Sequence, residues 1–371
     1  MKKSVYLLLP FFLAGFMLPD DNCGNIPPSG NLYDGPYVLY KGQWVHVKSV
    51  YDDGGNKTIK ADSMPLVQRE NLALQVATDE AGKTFSVQLK KDLQNEKTEF
   101  PDVKKIFIVS DIEGNFRALR KLLQTNGVMD EQFNWTFGNG HLVLTGDFFD
   151  RGSQVTEVLW LIYSLEAKAQ AAGGYVHFVL GNHEIMNMSG DVRYVHPKYM
   201  ENAVLMGEDY MGLFSEHTEL GRWLRTKNVV ERVGDILFVH GGISAQLNSI
   251  DLAASKINKL SRPFYPDSSY KYNDPKVALL FSDDGPFWYR GYYTGKTLAT
   301  QAQVDSTLDI YKVKFIATGH TVVADTVSVL FNKKVYNTDV HHARGHSEAL
   351  LFEDGNFYRV NAFGEKFQIG D

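Results

Sequence analysis

Residues 141–152 join an apolar run to two carboxylates and a guanidinium, a combination that could do chemistry. The run predicts a buried strand that stops at Gly146. Asp147, Asp150 and Arg151 follow directly, where ligands collect beyond the carboxyl ends of strands in open α/β sheets. Asp147 could share its oxygens between two cations, while Asp150 and Arg151 could orient an acid or base and hold an anionic substrate. A surface turn has the same composition, so the rest of the chain must decide between these interpretations.

Two neighbouring strand ends carry side chains of the same kind. A strand at 104–110 runs into Asp-Ile-Glu-Gly-Asn at 111–115, and a strand at 175–180 runs into Gly-Asn-His-Glu at 181–184. Glycine-terminated helices are predicted between the strands. The order strand, helix, strand, helix, strand predicts parallel strands with right-handed crossovers. Three consecutive strand ends with metal-competent side chains indicate one site at one edge of a sheet.

Two histidines follow apolar runs in the same way. A predicted hairpin at 229–239 ends in His240, and an apolar run at 315–318 ends in Gly319 and His320. A histidine that only fills a core is expected in mid-strand, whereas these two stand beside glycine at strand ends. The later strands are expected to complete a second, antiparallel sheet: 327–331, 334–337 and the hairpin at 353–356.

The composition limits the class of protein. A chain of 371 residues is long enough for one large or two smaller domains. The net charge of −6 and the absence of a basic stripe argue against nucleic-acid binding. The single cysteine, Cys23, excludes a disulfide framework and a thiolate zinc site.

The amino terminus predicts export. Residues 1–18 have a basic start and an apolar run too short to span a bilayer comfortably, so they are interpreted as a signal peptide. The mature protein is then periplasmic or secreted, without a transmembrane domain; a lipid anchor at Cys23 is the less favoured alternative. Residues 19–100 are predicted as a linker and β-rich extension, and residues 101–371 as the catalytic domain.

Five motifs, as a set, resemble the calcineurin-like metallophosphoesterases, in the phosphoprotein phosphatase branch. They are Asp-Ile-Glu-Gly at 111–114, Gly-Asp-Phe-Phe-Asp-Arg-Gly at 146–152, Gly-Asn-His-Glu at 181–184, His-Gly-Gly at 240–242 and Gly-His at 319–320. Residues 180–194 and 285–291 resemble the Shewanella-like protein phosphatases in particular. The resemblance covers about residues 104–345 and implies an α/β fold, a sandwich of two mixed sheets flanked by helices.

The resemblance implies two divalent metal ions and a direct hydrolytic mechanism. The first ion would be held by Asp111, Glu113 and Asp147, and Asp147 would bridge to a second. The remaining ligands implied for the second ion are Asn182, His240 and His320. A hydroxide shared by two cations is a strong nucleophile and would attack phosphorus in line.

The catalytic residues implied by the same resemblance surround these ligands. His183 would protonate the leaving oxygen, oriented by Asp150. Arg151 and Arg290 would hold the phosphoryl oxygens. For Arg290 the alternative is structural stacking on a neighbouring aromatic ring.

Glu113 departs from the family, which usually has histidine at this position. As a ligand it would make the first site all-oxygen and shift preference from zinc toward manganese, magnesium or ferrous iron. The alternative is that Glu113 points away and the first metal is weak or missing. A nearby cluster, His341, His342 and His346, is interpreted as the rim of the site, and Asp339 is expected to help orient His320.

The function predicted from these features is hydrolysis of a phosphomonoester, either a phosphorylated protein (serine/threonine or tyrosine) or a small molecule. Aromatic residues are frequent between His240 and His320, and they could wall a pocket for an aryl phosphate such as phosphotyrosine, or simply pack this insert. Two other functions remain open. One is hydrolysis of nucleotide anhydrides or phosphodiesters, and the other is an exported binding protein that has lost turnover.

Overall fold

The computed structural model describes residues 30–370. The predicted signal peptide, residues 1–18, and Cys23 lie outside this range, so both stay predictions. Between residues 30 and 370, no helix combines the length and the apolar character needed to cross a membrane.

The described chain alternates strands and helices. Its strands are β1 (Asn31–Lys41), β2 (Trp44–Asp53), β3 (Asn56–Pro65), β4 (Ala73–Ala77), β5 (Thr84–Gln88), β6 (Glu99–Phe100), β7 (Lys105–Val109), β8 (His141–Leu144), β9 (Tyr175–Phe178), β10 (Val230–Val233), β11 (Ile236–Val239), β12 (Phe315–Thr318), β13 (Ser328–Leu330), β14 (Val335–Asn337), β15 (Glu348–Glu353), β16 (Asn356–Asn361) and β17 (Lys366–Ile369). Its α-helices are α1 (Phe116–Thr125), α2 (Val155–Ala171), α3 (Asn182–Ser189), α4 (Pro197–Leu205), α5 (Glu219–Leu224), α6 (Ala245–Ser249), α7 (Ala254–Ser261), α8 (Pro275–Leu280) and α9 (Gln301–Tyr311).

Two six-stranded mixed sheets form the catalytic part, which confirms the predicted fold class. The first has the order β17-β16-β15-β7-β8-β9, and the second has the order β13-β14-β12-β11-β10-β6. In the first sheet β7, β8 and β9 are parallel, as predicted from the alternation of strands and helices. In the second sheet β11, β12 and β14 are parallel.

The prediction of a second, purely antiparallel sheet is wrong in two respects. The hairpin β15–β16 joins the first sheet, where β15 pairs antiparallel with β7. The second sheet is mixed, because α9 crosses between β11 and β12 and returns the chain in the same direction. An alternation of apolar and polar residues identifies a strand, but it does not identify the strand with which it pairs.

The core lies on both faces of the first sheet. Ile106 and Ile108 of β7 pack with Phe238 of β11 in the apolar layer between the sheets. Phe107, on the opposite face of β7, belongs to the larger core that includes Leu119 of α1. A strand covered on both faces is apolar over its buried length, and residues 106–109 of β7 are all apolar and buried.

The β-rich extension packs against the catalytic part. Strands β1, β2 and β3 form an antiparallel sheet, and β4 and β5 form a separate hairpin. The buried carboxylate of Glu219, at the start of α5, accepts hydrogen bonds from Tyr163 (2.6 Å), from Arg69 of the extension (3.0 Å) and from Tyr40 of β1. At the end of the predicted extension, β6 pairs with β10, so it is a strand of the second catalytic sheet.

Candidate active site

The parallel strands of both sheets point their carboxyl ends at one cleft of about 410 Å³. Five strands are each followed, within four residues of their last position, by one polar residue of the site. These are Asp111 after β7, Asp147 after β8, Asn182 after β9, His240 after β11 and His320 after β12. Predicted site residues that line the cleft are Asp111, Glu113, Asp147, Arg151, His183, Arg290 and His320.

Four donor atoms from these strand ends meet at one point. His240 Nε2 lies 3.1 Å from Asp147 Oδ2, 3.0 Å from Asn182 Oδ1 and 3.1 Å from His320 Nδ1. The Asn182 amide nitrogen faces the sulfur of Met186, which directs its oxygen toward His240. This is the predicted ligand set of the second metal ion, and all four side chains are buried.

Backbone carbonyls set the tautomers of the two histidines. His240 Nδ1 donates to the Thr145 carbonyl at 2.7 Å, and His320 Nε2 donates to the Trp288 carbonyl at 3.1 Å. In each neutral imidazole the opposite nitrogen, which points into the cluster, therefore carries the lone pair, as in metal-binding histidines. Converging imidazole nitrogens, an amide oxygen and a carboxylate are stable together only with a positive charge among them, either a proton or a cation, so the donor set fits a divalent cation.

The pKa values of the cleft residues also indicate that the cleft favours bound positive charge. Burial lowers the pKa of His240, but the Asp147 carboxylate outweighs burial and raises that pKa to about 10. Burial and the neighbouring Asp147 raise the pKa of Asp111 to about 6. Burial, Asp111 and Asp147 together raise the pKa of Asp339 well above its ordinary range. Three carboxylates in one cleft, with a proton on His240, form a pocket from which a metal ion would displace protons.

His183 lies beside this cluster, in the first turn of α3. Its Nδ1 donates to Asp150 at 2.6 Å, and its Nε2 lies 3.8 Å from Asp147 Oδ2. Burial lowers the pKa of His183, but Asp147 and Asp150 outweigh burial and raise it above its ordinary value. The geometry suits an imidazolium that presents Nε2–H to the cleft, as a general acid requires.

Glu184 was not assigned a role from the sequence, yet it holds the loops of two strand ends together. Its carboxylate accepts from the backbone N–H groups of Asp147 (2.9 Å), Phe148 (2.7 Å) and Gly181 (2.7 Å). A Cβ on Gly181 would lie 2.3 Å from Asp147 Oδ1, so only glycine allows this approach. The signal available in the sequence was the position of Glu184 directly after His183 in the Gly-Asn-His-Glu motif.

Several site residues adopt the left-handed backbone region, which side chains rarely enter. They are Asp111, Glu113, Asp147, Asp150, Arg151 and His320, with φ between 48° and 70°. Such conformations cost about 1–3 kcal/mol each and persist where surrounding contacts enforce them. The strand-end loops are therefore shaped for the positions of these side chains.

Glu113 and the two arginines lie at the rim of the cleft. The Glu113 carboxylate forms an ion pair with Arg151, whose side chain is 51% exposed, instead of approaching the four-donor cluster. The guanidinium of Arg151 also lies over the ring of Tyr194, 5.5 Å from its centroid. Arg290 is anchored through Nη1, which donates to the carbonyl of His320 and to Thr321 Oγ1 (3.0 Å).

The expected contact between Asp339 and His320 is not formed, so that prediction is wrong. Both ring nitrogens of His320 already face other partners, His240 and the Trp288 carbonyl. Asp339 instead lines the cleft. His341 and His342 also line it, as predicted for a rim, whereas His346, the third member of the predicted cluster, is not among the lining residues.

Most rings of the aromatic insert pack against one another. Tyr272 stacks on Phe281 with ring centroids 4.9 Å apart, and Phe281 in turn contacts Phe287 at 5.3 Å. Tyr292 is buried and bonds through its hydroxyl to the backbone of Ile243. These rings therefore pack the insert between His240 and His320 and do not wall a substrate pocket.

Comparison with known proteins identifies the family. The calcineurin-like phosphoesterase family model matches residues 104–324. The chain belongs to the calcineurin-like phosphoesterase family. Shewanella-like protein phosphatase 2 of Arabidopsis thaliana is 25% identical over 305 residues, which cover 69% of this chain and 76% of that protein. Shewanella-like protein phosphatase 1 of Plasmodium berghei is 28% identical over 234 residues, 58% of this chain and 61% of that protein.

A solved structure agrees with the fold over nearly the whole described chain. The cold-active protein-tyrosine phosphatase of a psychrophilic Shewanella species superposes with a TM-score of 0.81 and 35% identity, covering 90% of this chain and 98% of that one. The predicted branch of the family is thereby confirmed. The chain is a metal-dependent phosphatase.

Proposed function

We propose that this phosphatase hydrolyses phosphomonoesters of protein side chains, preferentially phosphotyrosine, in the cleft at the strand ends. One observation carries the proposal: the converging donors of Asp147, Asn182, His240 and His320 lie beside the His183–Asp150 pair. Hydrolysis of a monoester with a poor leaving group requires both metal ligands and a nearby proton donor, and the two lie side by side in this cleft.

In this proposal the cleft holds two divalent cations. One would be held by Asp111 and Asp147, and the other by Asp147 with Asn182, His240 and His320. When bound, they would activate water as Lewis acids and neutralise phosphoryl charge. The mixed nitrogen and oxygen set suits manganese, iron or zinc, while the oxygen-only first set suits manganese or magnesium.

Side chains of this protein would do the remaining work. Arg290 and Arg151 line the cleft and would hold the phosphoryl oxygens through paired N–H groups. His183 would give its Nε2 proton to the leaving oxygen. Asp150 holds the opposite proton on Nδ1 and so keeps the imidazole in one orientation.

Two observations support an aryl phosphate as the substrate. The 35% identical solved structure bears the name of a protein-tyrosine phosphatase. In this chain, the 44% exposed ring of Tyr194 lies 5.4 Å from the imidazole of His183, centroid to centroid. A phenolic leaving group that takes a proton from His183 would contact this ring.

Release of p-nitrophenol from its phosphate ester tests the metal-dependent chemistry. Chelated protein should be inactive, manganese should restore turnover, and Asp147→Asn should remain inactive because it loses the bridging carboxylate. Asp309→Asn, an exposed position on α9, is the matched control and should behave as wild type. Metal-independent turnover, or an active Asp147→Asn protein, would contradict the proposal.

Paired phosphopeptides test the substrate class. Peptides with identical flanking sequence and either phosphotyrosine or phosphoserine would be compared by kcat/KM, in wild type and in Tyr194→Ala. We expect the phosphotyrosine preference to shrink in the variant. A wild-type preference for phosphoserine would rule out the aryl substrate while leaving the phosphatase activity intact.

We also propose that the protein acts after export, in the periplasm or outside the cell, on the basis of residues 1–18. Fractionation of cells that express the full chain, with and without these residues, tests this. Cytoplasmic retention of the full chain would contradict it.

A further inference from the structure

A buried chain of side-chain hydrogen bonds continues behind the His183–Asp150 pair. Asp150 Oδ2 accepts from His183, and Asp150 Oδ1 accepts from Asn187 Nδ2 at 2.9 Å. Asn187 Oδ1 in turn accepts from the Tyr210 hydroxyl at 2.6 Å. His183, Asp150, Asn187 and Tyr210 are all buried, so water does not compete for these bonds.

The orientation of the Asn187 amide is determined by its neighbours. Its nitrogen faces two acceptors, an oxygen of the Asp150 carboxylate and the His183 carbonyl at 2.8 Å. Its oxygen must therefore face Tyr210, whose hydroxyl donates. A flipped amide would place its oxygen against two acceptors, so a single arrangement satisfies every group.

The two outer members come from different parts of the fold. Asn187 lies one turn after His183 on α3, so the helix itself sets their spacing. Tyr210 follows α4, and its ring packs edge-on against Phe214 at 5.5 Å. Phe214 also packs against Phe149, which precedes Asp150, at 4.9 Å. Packing thus holds Tyr210 and the Asp150 loop together independently of the hydrogen bonds.

We propose that Asn187 and Tyr210 are positioning residues that hold the Asp150 carboxylate, and through it the proton-donating imidazole of His183. Asn187 occupies the Asp150 oxygen that His183 does not use, which prevents the carboxylate from rotating. Tyr210 holds the Asn187 amide in the required orientation. This inference rests on the proposed role of His183 as general acid.

A series of leaving groups tests the inference, because protonation matters only where the leaving group is poor. Phenyl phosphate requires the proton, whereas 2,4-dinitrophenyl phosphate leaves as a stable anion. General acid catalysis typically accelerates a reaction about 10²–10⁴-fold, so a misoriented His183 should lose part of that acceleration. For Asn187→Ala we expect kcat on phenyl phosphate to fall about tenfold or more, with little change on the dinitrophenyl ester and a similar KM. Tyr210→Phe should show a smaller loss in the same pattern.

Two reference variants make the result interpretable. His183→Asn should show the steepest dependence on the leaving group. Tyr265→Phe removes a buried hydroxyl that donates to the Lys227 carbonyl, away from the cleft, and should show no such dependence. Thermal unfolding would establish that each variant is folded.

The outcomes separate the inference from the proposed function. Equal losses on both esters in Asn187→Ala and Tyr210→Phe, or no loss in either, would overturn the positioning role. If His183→Asn itself lacked a dependence on the leaving group, the proposed role of His183 would fail instead. A wild type inactive on both esters would refute the proposed function as a whole.

Discussion

Replacement of Glu184 by glutamine tests whether one buried carboxylate supports the architecture of the site. The carboxylate accepts three backbone N–H groups, two at Oε2 (Asp147 and Gly181) and one at Oε1 (Phe148). Burial and the Asp147 charge raise the pKa of Glu184 to about 7, so at pH 8 wild type is mostly ionised. Glutamine has the same shape, but one of its two terminal atoms is a donor.

The expected cost follows from counting these bonds. Whichever way the glutamine amide lies, its nitrogen faces at least one backbone N–H, and that donor loses its acceptor. An unsatisfied buried donor costs about 1–3 kcal/mol, but glutamine also removes a buried charge that Asp147 disfavours, which stabilises the variant at pH 8. These two effects on the free energy of unfolding oppose each other, so metal binding is the decisive measurement. The displaced Asp147 loop should also weaken metal binding.

Urea denaturation at pH 8 and calorimetric titration with manganese measure the two effects separately. Glu70→Gln, at an exposed position, is the control and should change neither. Unchanged manganese affinity in Glu184→Gln would refute the supporting role.

Three further outcomes are expected. Glu113→Ala should keep its metal content and lower KM, because Arg151 loses a competing carboxylate; loss of one metal equivalent by elemental analysis would show that Glu113 is a ligand. Arg290→Ala should lower kcat/KM about 10²-fold, as removal of a transition-state donor does; unchanged steady-state kinetics would exclude its substrate role. Burial raises the pKa of Glu157 from 4.5 to about 7, so stability is full below pH 4.5 and falls as pH rises through 7. Glu157→Gln should therefore gain about 3 kcal/mol over wild type at pH 8 and little at pH 4.5, measured by urea denaturation; an equal difference at both pH values would contradict this.

The sequence alone determined the parts of the site that depend on local order. A run of apolar residues predicts a strand, and the few residues that follow lie at the strand's end, so Asp111, Asp147 and His240 could be located from the sequence. The alternation of strands and helices determined the parallel core of the first sheet, because a crossover connection has one favoured hand. The resemblance of five motifs then indicated the family.

Tertiary structure alone decided which groups meet across the chain. Three pairings join residues that are distant in sequence: the hairpin β15–β16 with β7, the backbone of Asp147 and Phe148 with Glu184, and Asn187 with Tyr210. The pairing of Glu113 with Arg151 is of the same kind, since the sequence does not specify either residue as the partner of the other.

The physical reason is that some features depend on neighbouring residues in the chain and others on contacts between distant residues. Backbone preference and apolar periodicity act over a few residues and can be read along the chain. The tautomers of His240 and His320 depend on carbonyls that only packing brings near, those of Thr145 and Trp288. The sequence therefore determined which donors stand at the strand ends, and the packing of two sheets decided which of their atoms converge.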